Sequence, residues 1–230
     1  MDTTIFDAIQ SIGGRSDLFD RAICNIATNP LLKGALPMIF FWALWFAPSY
    51  NRMVYRARLL AMLVVAAVAI VIGRAMATLL PFRLRPLHDP DIKMQLSFDL
   101  DPSILSGWSA FPSDHAVMFF ALSTCFFLIQ KRIGYIAFVH SIIAIAFARV
   151  FLGFHWPSDV LAGALVGAGV AMVLFRPVAK LISQTQLTRW LIRREQFLYP
   201  ALFIITYQVT TMFNATRELA SAMLDALSLV

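Results

Sequence analysis

Six apolar runs, at about residues 31–48, 59–80, 112–130, 133–152, 157–175 and 197–213, follow one another along the chain. Each matches the hydrocarbon core of a bilayer, which a helix crosses with about 20 apolar residues. Within that core every backbone N–H and C=O must find a partner in its own segment, so such a run is helical. The pattern predicts an all-α, polytopic membrane bundle with about six transmembrane helices. Of 230 residues, 60% are hydrophobic and 14% charged, which leaves no length for a separate soluble domain. Residues 1–230 therefore read as a single membrane-embedded domain. Ahead of the first run, Phe19, Ala22, Ile23 and Ile26 recur at helical spacing among Asp17, Asp20, Arg21 and Asn25, as in an interfacial helix lying on the membrane. Met1-Asp2-Thr3-Thr4 offers no basic segment leading into an apolar core, so the first run is expected to direct insertion in place of a cleaved signal peptide.

The formal charge of +6 would favour nucleic acid in a soluble protein. Here the cations lie in connections between spans, where they set topology and meet lipid head groups, and no nucleic-acid partner is needed. Six alternating spans put both termini, the long polar connection from Pro81 to Phe111 and the turn around His155 on one face. The opposite face carries ten Lys/Arg, at 52–58, 131–132 and 176–194. The first face carries five, Arg15, Arg21, Lys33, Lys93 and Arg217, once the motif arginines and the intramembrane Arg74 are set aside. That bias predicts that the long connection faces the periplasm or exterior. Cys24 and Cys125 read as packing residues. Gly163 and Gly167 make a GxxxG spacing, read as close packing inside the bundle rather than as a dimer contact. The sequence carries no signal for an oligomeric state, and the glycosylation sequon Asn214-Ala215-Thr216 is too short a match to use.

Three clusters collect on the first face: Arg85-Pro86, Pro112-Ser113-Asp114-His115, and Arg149 with His155 and Asp159. Pro112 and Pro157 mark helix starts, where a missing N–H costs nothing. A helix start offers free N–H groups and the positive dipole end, which suit a phosphate. Ser113 and the amides after it are thus expected to hold phosphoryl oxygens, with bidentate contacts from Arg85 and Arg149. His155 and Asp159 are four residues apart, so the carboxylate is expected to hold the imidazole Nδ1–H and leave Nε2 free to attack phosphorus. His115, on another helix, then protonates the leaving oxygen and activates water. Neither an HExxH motif nor a dense carboxylate cluster is present, so no metal and no cofactor is expected.

These residues resemble the type 2 phosphatidic acid phosphatase superfamily, which also includes the vanadium haloperoxidases. Its signature is Lys-x6-Arg-Pro, Pro-Ser-Gly-His and Ser-Arg-x5-His-x3-Asp, and the likeness spans about Thr78 to Asp159. The resemblance implies a nucleophilic His155 oriented by Asp159, His115 as acid/base, and phosphate held by Arg85, Ser113 and Arg149. Three positions depart from the signature: Thr78 replaces the lysine, Ala148 the serine and Asp114 the glycine. The Pro-Ser-Asp-His form is similar to the undecaprenyl-diphosphate phosphatase branch, with Asp114 expected to pair with an arginine. Arg83 or Arg74 is expected to supply the cation missing at Thr78, with Arg83 favoured because it needs no burial in the bilayer.

The function implied is hydrolysis of a lipid phosphate or diphosphate at the outer face of the bilayer, foremost undecaprenyl diphosphate, through a phosphohistidine. Alternatives are a phosphatidylglycerophosphate or lipid A phosphatase, a lipid phosphotransferase, and a non-catalytic membrane protein.

Overall fold

The computed structural model describes residues 2–48, 51–101 and 103–212. The sequon at 214–216, Arg217 and the end of the sixth apolar run lie outside the described residues. All regular structure among the described residues is helical, as the apolar pattern requires.

Two short helices, α1 (Asp2–Gln10) and α2 (Asp17–Thr28), precede the first apolar run. The sequence pattern anticipated only the second. Ser16 caps α2, its side chain accepting from Phe19 N–H, and Ile23 and Ala27 turn inward against Phe151, Leu152 and Phe154. The inward side of α2 therefore covers the end of the bundle. Asn29 caps α3 (Pro30–Phe46), where Pro30 occupies the first turn, and Asn51 caps α4 (Arg52–Leu79).

The long connection, with one turn of 3-10 helix at Pro86–His88, leads to α5 (Asp114–Ile129). The fourth crossing, Lys131–Phe151, comprises α6 (Lys131–His140), a π-helical stretch at Ser141–Phe147 and α7 (Ala148–Phe151). Helix α8 (Pro157–Gln184), a short α9 (Gln186–Arg193) and α10 (Glu195–Thr210) complete the described chain.

Three helical segments, Arg52–Leu79, Lys131–Phe151 and Pro157–Gln184, have the length and apolarity to cross a membrane outright. Pro30–Phe46 and Asp114–Ile129 are shorter apolar helices of the same bundle. The 16-residue α10 runs antiparallel to α3. Its first half packs Tyr199 against Trp42, Trp45 and Phe46, and its last turn brings Thr210 onto Gly34.

Helices α4, α5 and α8 form the centre of the bundle. At Gly163 an added Cβ would lie 2.5 Å from the Ser113 carbonyl oxygen, and at Gly167 it would strike the Val117 carbonyl. The GxxxG spacing therefore packs inside the bundle, as expected, and allows α5 and α8 to touch backbone to backbone. Gly167→Leu must drive them apart, at a cost of about 1–3 kcal/mol or more. Gly169, where nothing lies within 4 Å of an added Cβ, is the matched control. Thermal unfolding in detergent should show a clear drop in Tm for Gly167→Leu and little change for Gly169→Leu.

Candidate active site

The contact between α5 and α8 brings two helix starts together. Ser113 N–H donates to the Asp159 carbonyl oxygen at 3.1 Å, tying the first turn of α5 to the first turn of α8. Arg85 joins the flanking loops to this pair. Its guanidinium donates to the carbonyl oxygens of Trp108 at 3.1 Å, Ser109 at 2.9 Å and Phe154 at 2.5 Å. One of the same N–H groups also reaches His155 Nε2 at 3.2 Å.

His155 lies in the turn before α8 and is 2% exposed. Its Nδ1 is 2.7 Å from the Ala110 carbonyl oxygen. A carbonyl oxygen only accepts, so Nδ1 carries the proton and Nε2 presents its lone pair, the tautomer a nucleophile needs. Burial, and next the adjacent Arg85 guanidinium, push the imidazole pKa down to about 3, which keeps the ring neutral at physiological pH.

Asp159, the residue expected to hold His155, makes no hydrogen bond to it. Its Oδ2 accepts from Trp156 N–H at 2.8 Å, and its Oδ1 from Arg83 at 2.5 Å. The spacing argument fails because His155 precedes the first turn of α8: four residues bring side chains together only when both lie on the helix. Asp159, at the third helical position, instead reaches back to the N-cap amide, as a carboxylate does in a capping box.

The second imidazole faces the same space. Asp114 Oδ1 lies 2.9 Å from His115 Nδ1, so this ring too is held with its proton on Nδ1. His115 Nε2 meets Arg149 Nη2 and, at 3.3 Å, Lys33 Nζ. The other Asp114 oxygen pairs with Arg74 at 2.5 Å, the arginine partner expected for this carboxylate. Arg74 also packs over the Trp108 ring at 5.0 Å.

Three expected phosphate contacts lie elsewhere. Ser113 is fully buried as the N-cap of α5 and is not part of the cavity wall. The Thr78 hydroxyl turns back to the carbonyl oxygens of Arg74 and Ala75 on its own helix. Arg83, favoured as the substitute cation, faces away from the imidazoles and bridges Asp159, Ser158 and Asp2. Asp2 in turn accepts from Ser158 N–H at 2.9 Å, which pins α1 to the start of α8.

A cavity of about 620 Å³ connects the remaining groups, with His115, His155, Arg74, Arg85, Arg149, Asp114 and Lys33 in its wall. Ala27, Ile104, Leu105 and Trp108 give it an apolar rim suited to a lipid chain. Lys33, Ala110 and Trp108 were not singled out by motif reading. The signal for Lys33 was its place inside an apolar run, since an ionisable residue within a span marks function by default.

The model of the PAP2 superfamily matches residues 59–183. The chain is 25% identical over 196 residues to "Bacitracin transport permease protein BcrC" of Bacillus licheniformis, covering 85% of this chain and 90% of that protein. It is 23% identical over 176 residues to "Undecaprenyl-diphosphatase BcrC" of Bacillus subtilis (strain 168), covering 76% of this chain and 83% of that protein. A shorter match, 36% identical over 92 residues, joins 40% of the chain to 36% of "Lipid A 1-phosphatase" of Rhizobium johnstonii. No solved structure matches. The match over more than half the chain is centred on the helices that carry both imidazoles, and the protein belongs to the PAP2 superfamily as a phosphatase of lipid phosphates.

Proposed function

We propose that the chain, as a single membrane-embedded domain, removes the terminal phosphate of undecaprenyl diphosphate at the outer face of a bacterial inner membrane, through a phosphohistidine on His155. The observation that carries this reading is the pair of imidazoles in one cavity, each with Nδ1–H held by an acceptor and Nε2 turned toward cations. His155 Nε2 attacks phosphorus while Arg85 and Arg149 stabilise charge on the equatorial oxygens, an electrostatic contribution of several kcal/mol. His115 then takes a proton from the water that hydrolyses the phosphohistidine.

The relative named as an undecaprenyl-diphosphatase supports the diphosphate, and the one named as a lipid A phosphatase supports a second reading with a different lipid. Phosphate release from each purified lipid in detergent separates the two. His155→Ala should abolish release while Tm stays near the parent value, and turnover at the parent rate would reject the nucleophile. Release should continue in chelator and stop with vanadate, a tetrahedral anion that becomes pentacoordinate when an imidazole nitrogen adds to it and so suits an arginine-lined site. Loss in chelator, restored by Zn²⁺ or Mg²⁺, would reject the metal-free route.

The positions of Arg74 and Arg83 support the opposite of the ranking drawn from sequence. Arg74→Ala should lower kcat/KM by ~10², because it removes a guanidinium from the cavity wall and leaves the Asp114 carboxylate unpaired there. Arg83→Ala should act chiefly on Tm, since it strips the ion-pair partner from the fully buried Asp159. Equal kinetic loss in both would contradict this assignment.

For orientation, Asp91→Cys in the long connection should react with an impermeant maleimide added to intact cells, in a Cys24→Ser background. Gln186→Cys should react only after permeabilisation. The opposite pattern would invert the topology.

A further inference from the structure

Lys33 is the one ionisable residue of α3, one turn into an apolar helix, and is 3% exposed. Its ammonium reaches the cavity and lies 3.3 Å from His115 Nε2. Among the described residues it enters no ion pair, while Asp114, the sole carboxylate in the cavity wall, is taken by Arg74 and His115. A buried ammonium whose one hydrogen-bond partner is an imidazole nitrogen, and which shares that nitrogen with the Arg149 guanidinium, is costly unless an anion joins it. The imidazole it meets indicates which anion. Arg85 serves His155 Nε2, whereas Lys33 arrives on α3 and meets the second imidazole.

Resting on the reading above, we propose that Lys33 holds the phosphate that stays on the lipid, and that it sets a preference for lipid diphosphates over lipid monophosphates. In the first step the His155 Nε2 lone pair forms the N–P bond to the terminal phosphorus. The bond from that phosphorus to the bridging oxygen breaks, and its electron pair stays on the oxygen, which becomes a terminal oxygen of the departing lipid monophosphate. No proton is required, because a phosphate leaves as a stable anion, and Lys33 neutralises the added charge. This suits His115, whose Nε2 accepts from Arg149 and Lys33 and so carries no proton to give. In the second step water attacks phosphorus and gives a proton to His115 Nε2. The N–P electron pair returns to His155, and inorganic phosphate is released. A lipid monophosphate would instead expel an alkoxide, a far poorer leaving group that needs the proton His115 does not hold.

Lys33 thus adds, from the first span, a cation on the leaving side to the one that Arg74 brings to the cavity wall from the second.

The test compares farnesyl diphosphate with farnesyl monophosphate, which share a tail and differ only in the second phosphate, for the full chain in detergent. The parent protein should prefer the diphosphate. Lys33→Met should lower kcat/KM for the diphosphate by about 10² and for the monophosphate by much less, so that the ratio between them falls at least about tenfold. Lys33→Gln, which keeps a donor without the charge, should give the same fall and serves where the Met variant does not fold. An unchanged ratio, with both substrates falling equally or neither falling, overturns the assignment while leaving the diphosphatase reading intact. A parent protein that releases no phosphate from the diphosphate overturns both.

Discussion

Because Gly163 and Gly167 carry no side chains, the backbone of α5 from Ser113 to Val117 lies directly on α8, and the starts of the two helices meet at one end of the bundle. The side chains that line the cavity are placed from this contact. It fixes His115 on the first turn of α5 and the His155 turn ahead of α8. It also leaves a gap that Arg85 closes by binding carbonyl oxygens of both flanking loops. Arg149 approaches from the fourth span, beyond a π-helical stretch whose wider turn changes the face its end presents. The π-helical stretch still satisfies its backbone groups within the segment, as a bilayer requires, and on its inner side the buried Ser141 hydroxyl meets Ser123 at 2.9 Å.

Charge is distributed in the cavity with the same economy. Among the described residues its wall holds the cations Lys33, Arg74, Arg85 and Arg149 and one carboxylate, Asp114. Arg85 is held mostly by backbone carbonyl oxygens and Arg74 by Asp114, so both keep fixed orientations without a bound anion. Preorganised cations of this kind stabilise developing negative charge without reorganising during the reaction.

Much of this was legible in the sequence. The helical class, the inward packing of the glycine pair and the arrival of His115, His155, Arg85 and Arg149 in one cavity all follow from run length and motif position. What sequence spacing missed has a common cause: it fixes neighbours only inside a continuous helix. The Ala110 carbonyl that orients His155 lies 45 residues away along the chain, and Arg83 turns outward because its partners Asp2 and Ser158 come from distant elements. Lys33 was counted as a topogenic charge because it stands near the end of a run. Only the tertiary arrangement distinguishes a lysine reaching the head groups from one reaching the cavity.

The link between Asp2 and Ser158 spans 156 positions. During synthesis α1 is made first, yet its anchoring partner appears only when the fifth apolar run has entered the bilayer. Until then Arg83 also lacks Asp159, the long connection has no fixed end, and the two imidazoles have no common wall. Assembly of the site is thus deferred to a late stage of membrane insertion, and a chain arrested before that point would contain four of the apolar runs yet lack a competent centre.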